Sequence, residues 1–225
     1  MLFNRNRIRY SGNSKFLNMR NNSFYCVKIP LELRKKFANF RLALEPENTT
    51  FGSAVADFGA DFSNDRKYRY SLWRIWDRTK PLVMFIGLNP STANETENDA
   101  TIRSVGRIAK ANGYGGFYMM NCWAYISTDP EKLRDHRFNE LICEWNDNML
   151  TTIKAKCKDV VFAWGSFSIV KETGRDKELS EMFPNAKALF INKNGSPKHP
   201  LYCKADTKFV EWSMAAGCKI SSKRK

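Results

Sequence analysis

The chain lacks the closely spaced cysteine pairs that build metal sites. Its six cysteines, Cys26, Cys122, Cys143, Cys157, Cys203 and Cys218, are scattered with no Cys-x-x-Cys spacing. Neither a zinc site nor an iron–sulfur cluster is expected from that pattern, and the thiols read as free core residues. No metal and no cofactor are therefore expected. Long apolar runs are missing too: none approaches the roughly 20 residues that span a bilayer, so no membrane partner is expected. The first thirty residues carry Arg5, Arg7, Arg9, Lys15 and Arg20. Polar residues interrupt them where a secretory peptide needs a continuous apolar core, which points to a cytoplasmic location. Acidic residues are scarce at this end: residues 1 to 41 hold ten Lys and Arg against the single acid Glu32. No internal repeat is evident.

What is present suffices for one core. The 225 residues are 43% apolar and 13% aromatic, enough for a single domain with an added N-terminal segment. The net charge is +14 and the isoelectric point about 9.6, with Lys219, Lys223, Arg224 and Lys225 adding to the tail. Clustered positive charge attracts polyanions, above all nucleic-acid backbones, although it also serves solubility. The expected division is a basic, partly flexible extension over residues 1–60, an α/β domain over 61–216 and a basic tail over 217–225.

Within the extension, Ile29-Pro30 followed by Leu31 to Phe37 suits a short helix beginning at or after the proline. Residues 45 to 66, rich in Asx and Ser with Gly52 and Gly59, read as loop. Tyr68 to Trp76, dense in aromatic and β-branched residues with basic ones between, reads as a strand or hairpin arm whose side chains pack. Four apolar segments then follow, at about 82–88, 116–122, 159–164 and 187–191. Helical patterns separate them: one begins near Asp99 and stops at Asn112-Gly113, one covers 137–156, one crosses 166–182, and a last lies at 205–215. This alternation predicts a three-layer α/β/α sandwich with a central, mainly parallel four-stranded sheet.

Each apolar segment ends in a polar break. Gly87-Leu88-Asn89-Pro90-Ser91-Thr92, Met120-Asn121, Trp164-Gly165-Ser166 and Asn192 with its loop to Pro197-Lys198-His199-Pro200 fall where open α/β sheets bind ligands. Asn89, Asn121, Gly165 and His199 are expected to converge. Each also has a plainer reading. Asn89-Pro90 suits a strand-ending turn, Asn121 an internal cap, Asp99 a helix N-cap, and Gly165 a close backbone approach. His199 between two prolines is poorly placed for a packed core, whereas His136 sits in a charged loop.

The order and content of these segments resemble the uracil-DNA glycosylase superfamily, and more closely a branch built around Asn-Pro-Ser-Thr-Ala and His-Pro-Leu-Tyr, known as DUF1643. The resemblance runs from about Arg66 to Trp212. It implies that Asn89 positions an attacking water, that Asn121 reads the edge of a base, and that His199 and Leu201 belong to a loop entering the minor groove. Pro90, Ser91 and Tyr118 are the further base-binding candidates, and Ser166, Lys198 and Arg103 the further nucleic-acid contacts. Ser91-Thr92 stands where better-known branches have Tyr-His or Gly. The aromatic that stacks on the base is not fixed; Tyr118, Trp123 and Tyr202 are candidates.

Breaking an N-glycosidic bond develops positive charge on the sugar and negative charge on the leaving base. Such a site needs a positioned water on one side and a hydrogen-bond donor on the other, roles that Asn89 and His199 suit. A neutral amide cannot accept a proton at ordinary pH, so a third catalytic candidate, the carboxylate of Asp99, is considered for the missing charge. The expected function is a metal-independent DNA glycosylase-like hydrolase acting on a damaged or modified base in nucleic acid. The alternatives are a non-catalytic nucleic-acid or nucleotide-binding protein on the same fold, and a hydrolase of free nucleosides or nucleotides.

Overall fold

In the computed structural model, residues 57–135 and 140–213 are described. His136, the expected N-terminal helix and both basic termini lie outside them. The strands are β1 (Asp57–Phe62), β2 (Arg69–Ile75), β3 (Leu82–Gly87), β4 (Gly116–Asn121), β5 (Asp159–Phe162), β6 (Lys187–Ala188) and β7 (Val210–Glu211). The helices are α1 (Ala100–Ala111), α2 (Lys132–Asp135), α3 (Glu140–Lys154), α4 (Ile169–Glu172) and α5 (Arg175–Met182), with a short 3-10 turn at Pro200–Tyr202.

The strands form one mixed sheet in the order β1-β2-β4-β3-β5-β6-β7. The four inner strands pair in parallel, and the outer pairings of β1, β2 and β7 are antiparallel. The expected sheet of four strands is thus a sheet of seven. β3 and β4 are near-continuous buried runs, as strands covered on both faces must be. Alternate residues serve two clusters. Met84, Ile86, Tyr118, Met120, Val160 and Phe162 pack with Leu150 and Ile153 of α3, Ile169 and Val170 of α4 and Leu179 of α5. On the opposite face, Val83, Phe85, Phe117, Met119 and Val161 pack with Ile102, Val105 and Ile108 of α1.

The departures from expectation have identifiable causes. β1 occupies a stretch read as loop because Gly59 and two aspartates disguise it. A Cβ on Gly59 would lie 2.4 Å from the Trp73 ring, and the aspartates accept from β2 donors: Asp57 from Trp73 Nε1 at 2.8 Å and Asp61 from Ser71 Oγ. The expected helix over 166–182 is two, because Gly174 takes a left-handed φ of 74° between α4 and α5. Over 205–213, the described part of the helix expected at 205–215, the chain forms a turn, extended chain and β7 instead. Phe209 packs against the α1 face and Trp212 against the α3 face, an arrangement that straddles the sheet edge as a strand does. β6 is cut to two residues, after which the chain turns to the Ile191–Pro197 bridge.

Among the described residues, no helix is long and apolar enough to cross a membrane, and no cluster of three or more His, Cys, Asp or Glu is placed to hold a metal.

Entry to β4 depends on Gly115. Its carbonyl accepts from Trp76 N and Asp77 N at 2.8 Å each, and a Cβ there would stand 1.8 Å from the Asp77 carbonyl oxygen. Gly115→Ala is therefore expected to cost roughly 2–3 kcal/mol, read as a fall in Tm of about 4–12 °C.

Candidate functional site

The carboxyl ends of β3, β4 and β5 gather at one edge. Gly87 and Asn121 are register partners, and beyond them Cys122 N donates to Gly87 O at 2.8 Å and Trp123 N to Leu88 O at 3.2 Å. Ala163, just past β5, donates to Ile86 O at 2.8 Å. Gly165 follows with φ 82°, and a Cβ on it would lie 3.3 Å from His199 Cβ. The histidine loop is fastened to α1 by Ser104 Oγ donating to Pro200 O at 2.9 Å. Gly87, Asn121, Gly165 and His199 therefore share this edge of the sheet, with Asn89 two residues past Gly87.

Asn121 is the least conventional residue of the group. It is 1% exposed, yet among the described residues neither its Oδ1 nor its Nδ2 has a hydrogen-bond partner. Its Oδ1 lies over Gly87, 3.0 Å from where a Cβ would stand. An unmet buried amide costs about 1–3 kcal/mol. The backbone carrying it is held firmly all the same. Asn146 Nδ2 donates to Asn121 O at 3.1 Å and Cys122 O at 3.3 Å, and Arg175 Nε donates to Cys122 O at 3.2 Å. Arg175 is itself paired with Asp147, and with Glu178 at 3.0 Å.

Asn89 has a structural task. Its Nδ2 donates to the carbonyls of Pro90 (3.1 Å), Tyr125 (3.3 Å) and Ser127 (2.8 Å), pinning the chain after β4 to the turn after β3. Pro90 is buried, and its carbonyl accepts from Ser127 N at 3.0 Å; Ser91 beside it is half-buried. Asp99 caps α1, accepting from Ile102 N at 2.8 Å. His199 Nδ1 accepts from Leu201 N at 3.3 Å, so its ring proton resides on Nε2 as a donor. Burial pushes the imidazole below its ordinary range, and the Asp99 carboxylate partly opposes this.

Of the other candidates, Tyr118 and Trp123 face the opposite side of the sheet from Asn121, whereas Ser166 and Lys198 adjoin Gly165 and His199 in the chain and Leu201 follows close after His199. Tyr118 belongs to the α3 face, beside Trp73, and Trp123 is buried on that face too. Arg103 is exposed and its Nη1 donates to Asn98 O, so it does not pair with the Asp99 side chain. Ser166 accepts from Asn192 Nδ2 at 3.1 Å and Ser196 Oγ at 3.2 Å, on the wall of a cavity of about 70 Å³ that Trp164, Lys171 and Trp212 also line. Lys198 Nζ lies 5.5 Å from the Phe190 ring centroid. Leu201 and Tyr202 are exposed, and Tyr202 packs 5.9 Å from the His199 ring. A second cavity, about 290 Å³, lies at the other end of the sheet between Phe58, Arg74, Trp76 and Asn98. Neither cavity includes Asn89, Asn121 or His199 in its walls.

Sequence reading missed Arg69. Its side chain is buried at 2% exposure, with Nη1 donating to Ala93 O at 2.6 Å and Nε without a partner among the described residues. Burial pushes the guanidinium down to about 10, against the upward pull of Asp99. The one sequence signal was a charge inside the aromatic run of Tyr68 to Trp76, which reads equally well as an exposed edge.

Two outcomes are expected. The folded pKa of His199 lies below its unfolded value near 6.5, so in that window the unfolded chain holds more protons and stability falls as pH drops from about 6.5. His199→Gln should flatten this part of a Tm-against-pH curve. Gly165→Ala meets both a positive φ and His199, and should cost more than about 1 kcal/mol in thermal unfolding.

A family model described as "Protein of unknown function (DUF1643)" matches residues 69–201, a span that holds Arg69, Asn89, Asn121 and His199. No curated protein and no solved structure matches the chain.

Proposed function

Since the chain belongs to the DUF1643 family, which carries no assigned activity, we propose from the site itself that it is a glycosylase-like hydrolase of the bond joining a damaged or modified base to its sugar in nucleic acid, with DNA the favoured substrate. The observation that carries this reading is Asn121. A buried amide with a free donor and a free acceptor at the end of a central strand matches the mixed edge of a base, and no group among the described residues answers it. Reading a base in such a recess requires that it be flipped from its stack. The inner four parallel strands, with helices on both faces, are in keeping with the uracil-DNA glycosylase type of sandwich.

In the reaction the C1′–N bond breaks, its electron pair stays on the base, water oxygen bonds to C1′ and a water proton ends on the base. His199 Nε2–H is the donor for the leaving base. Asn89 has its Nδ2 engaged, so its Oδ1 is the atom left to orient the water. Asp99 supplies negative charge toward the sugar cation while also capping α1. Leu201, with exposed Tyr202 next to it in the chain, serves as the wedge. Lys198 and the basic residues 1–60 and 217–225 grip phosphates. Arg103, on the exposed side of α1, is available for the same purpose.

The second reading, binding without turnover, is favoured by the same Asn89 bonds, because they leave the site with no proton-accepting group free of a structural task. A hydrolase of free nucleosides is the third, and would have no use for residues 1–60. Purified protein incubated with labelled DNA carrying uracil, mismatched thymine or 5-modified pyrimidines, then treated with hot alkali, separates them. Strand cleavage lost in Asn89→Ala and His199→Ala is the expected result. Salt-sensitive binding without cleavage would move the assignment to the binding protein, and neither binding nor cleavage at low salt would overturn both.

A further inference from the structure

Two arginines are buried in the described domain, and they are treated differently. Arg175 meets Asp147 and Glu178. Arg69 meets no carboxylate within ion-pair distance among the described residues; its one side-chain bond there runs to the Ala93 carbonyl, and its buried Nε is unanswered. An uncompensated buried charge is among the costlier features a fold carries. A single bond to a neutral carbonyl is a weak reason to keep one, since an apolar side chain packs in the same place at no such cost.

The backbone directs this charge to the candidate site. Leu72 of β2 faces α1, and in an unbroken strand Arg69, three residues earlier, would face α3. The register against β1 shifts between Asp61↔Ser71 and Phe62↔Arg69, leaving Tyr70 as the extra residue of a bulge. Tyr70 packs instead toward Trp145 of α3, and Arg69 reaches Ala93, a member of the α1-face cluster. Bulges re-aim side chains in this way. Asn121 lies on that same face, since its Oδ1 shares the space over Gly87 with Met119, also of that cluster.

We propose that Arg69 is the anion-binding residue of this site, its guanidinium answering a carbonyl-bearing edge of the ligand that carries negative charge or acquires it as the base departs. The inference rests on the reading that Asn121 faces the ligand. A guanidinium only donates, so it meets a carbonyl oxygen and repels the amino group that cytosine or adenine would present. In glycosidic cleavage the electron pair left on an oxo base delocalises onto its carbonyls, and a desolvated cation stabilises that charge better than a solvated one. Arg69 thus selects oxo bases over amino bases.

The test uses the full chain with uracil, 5-fluorouracil and 5-nitrouracil as probes of rising N–H acidity, and cytosine as the amino control, with affinity read by calorimetry. The variants are Arg69→Gln, which keeps a donor for Ala93 without the charge, Arg69→Met and Asn121→Leu. Wild type is expected to bind the three uracils more tightly in order of acidity and cytosine least. Arg69→Gln should bind the most acidic probe about 10–100-fold more weakly and lose the trend, with Tm unchanged or higher. A trend preserved in Arg69→Gln, while Asn121→Leu abolishes binding, overturns the role of Arg69 alone. A large fall in Tm for both Arg69→Gln and Arg69→Met makes the residue a structural anchor and overturns it equally. No binding of any probe by wild type removes the base-reading site and this inference with it.

Discussion

The end of β4 is the constraint on which the rest depends. Two successive carbonyls, Asn121 O and Cys122 O, receive three side-chain donor contacts, two from Asn146 Nδ2 and one from Arg175 Nε. Both donor residues come from the α3 face, so the backbone is clamped from one side while the Asn121 side chain projects to the other. That division lets an unsatisfied amide persist in a buried position. The clamp in turn depends on Asp147, because a buried guanidinium without its carboxylate would be a liability larger than the hydrogen bonds it provides.

A site supported in this way is held firmly at the end of β4 and tied together where the chain turns. Asn89 joins the loops after β3 and β4, Ser104 joins α1 to the histidine loop, and Arg69 joins β2 to the segment leading into α1. In Asn89 and Arg69 the tie uses one polar atom and leaves another without a partner among the described residues, Asn89 Oδ1 and Arg69 Nε. Binding constellations need this combination, since side chains fixed by bonds of their own meet a ligand with little further loss of freedom.

The inner architecture was legible because both of its signals are local. Continuous apolar runs mark strands covered on two faces, and Asp99 before Ile102, Val105 and Ile108 marks a capped amphipathic helix; the structure keeps β3, β4, β5 and α1 within two residues of the expected bounds, while β6 ends three residues early. The edges were not legible, because their determinants are long-range. Gly59 looks like a loop glycine until Trp73 is laid across it, and Phe209 and Trp212 look helical until they are seen on opposite faces of a sheet. The site divides likewise. The gathering of Asn121, Gly165 and His199 at one edge follows from strand order alone. The anchoring of Asn89 depends on carbonyls 36 and 38 residues away, and the placement of Arg69 on a bulge that no run of residue types announces.

These placements bear on how a glycosidic bond would break in the proposed reaction. With Asn89 Nδ2 engaged, only an acceptor oxygen is left for the water, and an amide oxygen orients a water without removing its proton. Activation of the nucleophile is then weak. The available donors, His199 Nε2–H and the Arg69 guanidinium, are both suited to the departing base, and the Asp99 carboxylate influences both residues from a position suited to the cation left behind. In the proposed reaction a site so weighted would lower the barrier by separating charge before water attacks, and its rate would follow the stability of the leaving anion more than the strength of any base. Selectivity and rate then share one origin, because the bases best held as anions by a buried guanidinium are also those that depart fastest.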